Sequence, residues 1–397
     1  MFIIFYFTTI LVFAKEKSSN STYIETAKPA FNLTIDLPAT TVKDQHNTGT
    51  CWSYSTISML ESEIVRKGNT PVDLSEKFII KNVYNKKAER YIRMHGNIKF
   101  GSGGAFNDVT NIIEQLGIVP ENVYGRIKPD TLENNDNELD KLLKDYLHVV
   151  LENSDKTINT FWEIGYTNIL DNYLGTYPEL FAYNGEVYTP GGFARDMDIH
   201  PEDYVLLTSF SHHPYYQQFA LEVPDNWSGG TAYNVKLNEL VRIADNALKN
   251  DITFVWATDI TEKGFDFQRG LAVAPAFLYN NKPSGENTQW IDLSDKKLKE
   301  TIFNIDKPLE EVEVTAALRQ KGYDNHTTTD DHGMHVTGMA FDTNGKKYYY
   351  VKNSWGTSNP YEGYLYVSEA YFKLKTISIM VHKDAIPGNI KKKLNIK

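Results

Sequence analysis

One stretch constrains this chain more than any other: Gln45-His46-Asn47-Thr48-Gly49-Thr50-Cys51-Trp52-Ser53-Tyr54. It holds the only cysteine in 397 residues. It also runs straight into a segment whose Ile57, Leu60 and Ile64 share one helical face, with Gly68 placed to end the helix. Cys51 is therefore expected at a helix start, where unpaired N–H groups and partial positive charge favour thiolate over thiol. A lone cysteine is more often a small buried hydrophobe, so the neighbours must decide.

A thiolate nucleophile needs a base, a group to orient that base, and donors for a developing oxyanion. Gln45 lies six positions before Cys51, and Gly49 between them would let the backbone turn so that the Gln45 amide and the Cys51 N–H converge. Far downstream, Asp331-His332-Gly333-Met334-His335-Val336 begins a strand-like run, and Tyr348 to Gly356 ends on Asn353-Ser354-Trp355-Gly356. Side chains alternate along a strand, so His332 and His335 face opposite sides and only one can meet Cys51.

The order Gln45, Gly49-x-Cys51-Trp52, His332, Asn353-Ser354-Trp355-Gly356 resembles the papain-type cysteine peptidases. Within them it resembles the bleomycin hydrolase and aminopeptidase C branch. Tyr188-Thr189-Pro190 with Phe193, Phe254 to Asp259, His332-x-Met334 and Val381 to Pro387 support that branch. The resemblance implies an α+β fold of two lobes, one helical and one an antiparallel β-barrel, with a hook-like insertion. It implies a cysteine peptidase in which Cys51 attacks, His332 is the base, Asn353 orients it under the cover of Trp355, and Gln45 helps hold the oxyanion. His335 is then structural. Gly103 and Gly104, in isolation a flexible turn, become a cleft edge that pairs with the substrate backbone. The insertion implies a homo-oligomer, by resemblance a hexamer.

The expected organisation is a signal peptide at 1–14, an entry segment and helical lobe at 15–120, an insertion at 121–230 and a β lobe at 231–397. Residues 1–13 are almost wholly apolar but too few to span a bilayer, which points to export (secreted or periplasmic) rather than a stable membrane anchor. No Lys or Arg precedes the run, which keeps a cytoplasmic alternative open. With about three dozen residues from Ala14 to Cys51, no long inhibitory prosegment is expected. Helices are expected from Leu74, over Asp108–Leu116, Leu237–Leu248 and Val312–Gln320, and on the stripe Leu139, Leu142, Leu143, Tyr146, Leu147, Val150. Tyr204–Leu207 and Ile252–Ala257 read as buried strands.

A formal net charge of −10 argues against nucleic acid as a partner, because phosphate binding needs a basic surface. No phosphate loop or repeat is present, and no cofactor is expected. His212-His213-Pro214 is a poor metal-ligand set on its own and reads as a loop, so no metal is expected. The partner expected is a peptide substrate. An aminopeptidase is favoured, with an open-cleft endopeptidase, an acyl-transferring enzyme and a catalytically silent binding module as alternatives. Relatives guard the cleft with the carboxyl-terminal tail, but here the tail carries Lys391-Lys392-Lys393, which would repel a substrate amino group.

Overall fold

The computed structural model describes residues 31–125, 136–152, 157–279, 295–304 and 309–397. The apolar run at 1–14 and the acidic run before Asp136 lie outside them. Helix α1 (Cys51–Arg66) opens the helical half, with α2 (Glu76–Arg93) and α3 (Phe106–Leu116) against it. Ile57, Leu60 and Ile64 are fully buried, as their spacing predicts. The helix ends where Gly68 takes φ +87 and donates to the Val65 carbonyl while Asn69 donates to that of Ile64. Ser75 caps α2 by accepting from the Phe78 N–H, so that helix begins two residues after Leu74.

Helices α4 (Asp136–Glu152) and α5 (Trp162–Leu174) pack onto this half. Leu139, Leu143 and Leu147, spaced by four, are buried, whereas Leu142 is 39% exposed because it falls off that line. A hairpin, β2 (Phe181–Tyr183) with β3 (Glu186–Tyr188), leads to α6 (Pro190–Asp196), which Thr189 caps.

The other half is one eleven-stranded, mainly antiparallel sheet. Its strands are β1 (Asn32–Asp36), β4 (Tyr204–Thr208), β5 (Gln218–Ala220), β6 (Thr231–Asn234), β7 (Phe254–Thr258), β8 (Phe265–Asp266), β9 (Leu271–Ala272), β10 (His332–Phe341), β11 (Lys347–Lys352), β12 (Tyr364–Ser368) and β13 (Thr376–His382). The order runs β5-β6-β4-β13-β7-β10-β11-β12-β9-β8. Strand β10 is its spine: β7 and then β1 pair along one edge, β11 along the other. Residues 204–220, which the expected boundaries assign to the insertion, join this sheet through β4 and β5, because Val205-Leu206-Leu207 is an apolar strand whose backbone needs paired neighbours.

Helix α7 (Leu237–Lys249) covers one face. Short helices α8 (Ala276–Tyr279) and α9 (Asp295–Ile302) follow. Helix α10 (Ala316–Asp324) starts four residues later than Val312, because Thr315 accepts from the Leu318 N–H and sets the first turn. Helices α11 (Glu369–Lys375) and α12 (Gly388–Leu394) close the chain. In α12, Ile390 and Leu394 are buried, and Lys393 pairs with Glu239 of α7 at 2.6 Å. Among the described residues no helix is long and apolar enough to cross a membrane.

Candidate active site

The site forms where the amino end of α1 meets the start of β10. Residues 43–45 lie along 354–356: Gln45 N–H donates to the Ser354 carbonyl at 2.8 Å and Gly356 N–H to that of Lys43 at 3.2 Å. His46 takes φ +55 at the turn toward α1. Gly49 serves close approach rather than the turn expected of it, since a Cβ there would stand 2.6 Å from Ser102 Oγ.

Cys51 and His332 both line a cleft of about 310 Å³, together with Gly103 and Gly104. The backbone N–H groups of Gly333 and Trp52 act on the Cys51 sulfur in the direction that favours its thiolate. Burial nevertheless pushes the thiol up to about 12, and the nearby charges of Asp330 and Asp225 add to the shift. The thiolate preference expected of a helix start is thus outweighed by desolvation in the cleft. Burial likewise lowers His332 to about 4, with Asn353 opposing. Neither group is charged alone, so charge separation here means passing one proton between the two.

His332 Nε2 lies 2.8 Å from Asn353 Oδ1, which leaves Nδ1 as the ring atom free to serve the cleft. The Trp355 ring lies 4.6 Å from the imidazole. Gln45 is not among the cleft-lining residues. Its Oε1 accepts from Ser354 Oγ at 2.5 Å and its Nε2 donates to the Thr48 carbonyl at 2.6 Å, leaving a second N–H on the same nitrogen.

His335 lies on the opposite face of β10, as alternation requires. It is buried, with Nδ1 3.0 Å from Ser58 Oγ and Nε2 unpartnered. It and Asn353, whose Nδ2 is also unpartnered, border a cavity of about 20 Å³, enough for one water.

The glycine edge has no room for side chains. A Cβ at Gly104 would stand 2.7 Å from the Trp52 ring, and one at Gly103 2.4 Å from the Asp225 carboxylate. Buried Lys87 donates to the Gly101 carbonyl at 2.7 Å and to that of Gly103, which fixes the loop. Burial lowers this lysine to about 8. Its signal in the sequence is a cation on the apolar face of α2, in line with Tyr84 and Tyr91. Asp225 and Asp330 also line the cleft and carried no such signal. Asp225 pairs with Lys99 at 2.6 Å. No residue of α12 is among the lining residues.

Residues 33–166 match the papain family cysteine protease model and residues 292–397 the peptidase C1-like family model. Aminopeptidase C of Lactobacillus delbrueckii subsp. lactis is 22% identical over 95% of this chain and 86% of its own length. Bleomycin hydrolase of Gallus gallus is 21% identical over 88% of this chain and 81% of its own. The crystal structure of PepW from Lactobacillus rhamnosis shares the fold, with a TM-score of 0.69 at 19% identity over 92% of this chain and 84% of that one. These matches, and the fold shared with PepW, support a papain-like cysteine peptidase in the branch of aminopeptidase C and bleomycin hydrolase.

Proposed function

We propose that the protein is an aminopeptidase that works through an acyl-enzyme on Cys51. The observation that carries the exopeptidase reading is the pair of carboxylates, Asp225 and Asp330, near enough to the thiol for their charges to oppose its ionisation. A cationic α-amine is the substrate group that suits such a place, and an amine held beside the nucleophile leaves room for one residue before the scissile bond. The Gly103–Gly104 edge then pairs with the extended backbone.

In this reading the Cys51 sulfur attacks the carbonyl carbon as its proton passes to His332 Nδ1, with the Gly333 and Trp52 N–H groups holding the thiolate meanwhile. The Cys51 N–H and the second Gln45 Nε2–H hold the oxyanion. The C–N bond breaks as His332 protonates the leaving amine, and water, deprotonated by His332, releases the acyl group. Asn353 keeps Nδ1 turned to the sulfur. The reading extends to a homo-oligomer, supported by Phe161, Ile164, Leu180 and Val187, which are all 60% exposed or more on the segment between α4 and α6.

The test uses one fluorogenic peptide with a free and with a blocked amino terminus, before and after thiol alkylation. Cleavage of the free form alone, abolished by alkylation and in Cys51→Ala, is expected. Equal cleavage of the blocked form would replace the aminopeptidase with an endopeptidase, and no cleavage of either would remove the catalytic reading. Gln45→Ala should lose on the order of a hundredfold in kcat with little change in KM.

A further inference from the structure

His212 and His213 follow β4, and Glu222 follows β5. The fold brings the three together, so that their ligand-type atoms all lie within 4.8 Å of one another. His212 Nε2 is 2.9 Å from Glu222 Oε2, and His213 Nε2 is 3.6 Å from Glu222 Oε1. Ligands at zinc–ligand distances around a tetrahedral ion stand about 3.3 Å apart, so this set closes on an ion with small side-chain shifts. The histidine pair that looked like a poor ligand set in the sequence gains its third member from a residue ten positions on.

Two features separate this cluster from an ordinary surface ion pair. Both rings are held by packing: His212 stacks on Tyr323 at 5.4 Å and 21°, and His213 on Phe219 at 4.2 Å and 25°. The far nitrogen of His212 also has support behind it. Gln320 presents its Nε2 to Nδ1 at 3.0 Å and its Oε1 at 3.4 Å, and is itself held by Asp324 at 2.7 Å and by the Ser211 N–H at 2.6 Å. It therefore accepts either tautomer, including the one with Nδ1–H toward Oε1 and a bare Nε2 turned to Glu222, which is the form a metal needs. The two imidazoles are about one-third exposed, so an ion can enter and keep a water as its fourth ligand.

We propose that His212, His213 and Glu222 form a site for a divalent transition-metal ion of the zinc type. The site has a consequence for the cleft. Leu221 and Val223, on either side of Glu222, line the cleft together with Asp225, and Tyr323 also donates to the Glu222 carbonyl at 2.7 Å. An ion there pins the chain that forms this wall.

The test uses the full chain with Cys51→Ala, so that the thiol cannot capture the ion. The protein is stripped with chelator and titrated calorimetrically with zinc chloride. A single saturable site with a Kd of about 10 µM or tighter is expected. Glu222→Gln and His213→Gln, each checked for an unchanged melting temperature of the metal-free protein, should each weaken it by at least about fiftyfold. Because both substitutions keep a polar side chain near its original size at an exposed place, loss of binding is not loss of fold. Absence of binding up to about 100 µM zinc, or an affinity untouched by both substitutions, would overturn the proposal.

Discussion

Asp330 stands two residues ahead of His332, and its carboxyl is pushed up to about 7 by burial first, then by the charges of Asp225 and Asp331. Its folded pKa lies above the ordinary 3.8, so between about 4 and 7 the folded protein binds more protons than the unfolded chain. The stability this group gives is present at the acid end of that window and is lost as pH rises through it. A bound cationic amine reverses the preference, because it favours the carboxylate. The kcat/KM of a free-amine peptide is therefore expected to fall as pH drops below about 7, mainly through KM. In Asp330→Asn that acidic limb should flatten, and the KM should rise about tenfold at pH 8. An unchanged limb in the variant would show that another group controls it.

At the scale of elements, the packing of the end of α3 against α6 depends on one residue. Gly117 takes φ +88, and a Cβ there would stand 2.1 Å from the Pro190 carbonyl carbon. Neither the dihedral nor the backbone contact can relax without separating the two helices. Gly117→Ala is expected to lower the unfolding free energy by about 3 kcal/mol, seen as a reduced urea midpoint at unchanged slope. Much at this scale could be read from the sequence. The apolar face of α1, its glycine stop and the buried strands around Leu206 and Val255 follow from spacing, and alternation along β10 separates His332 from His335. What could not be read is contact between residues that no helical or strand period links. Asp225 reaches Gly103, Lys87 reaches the glycine loop, and Glu222 reaches His212, each through tertiary packing that no local period reports. Gly49 shows a subtler limit, since the residue type was informative but the reason was a neighbour's hydroxyl fifty-three positions away.

For the whole molecule, the exposed apolar groups of the segment between α4 and α6 are the contacts of the proposed oligomer. Light scattering after size exclusion is expected to give a mass well above the 45.3 kDa of one chain. Phe161→Asp with Val187→Asp should shift it toward the monomer, because a charge at a buried contact costs more than one in water. A monomeric wild-type chain would remove the oligomer.

The packing of α1 against β10 has a consequence in time. Ser58 on the nucleophile's helix and its partner His335 on β10 are 277 residues apart. At a synthesis rate of about 5–20 residues per second, roughly 14 to 55 s pass on the ribosome between the two. Throughout that interval Cys51 exists without His332, the base of the proposed mechanism, and without the cleft wall that His332 helps to form. On the proposed mechanism, a nascent chain assembled this way cannot attack itself or its neighbours until the second of these two segments has been made.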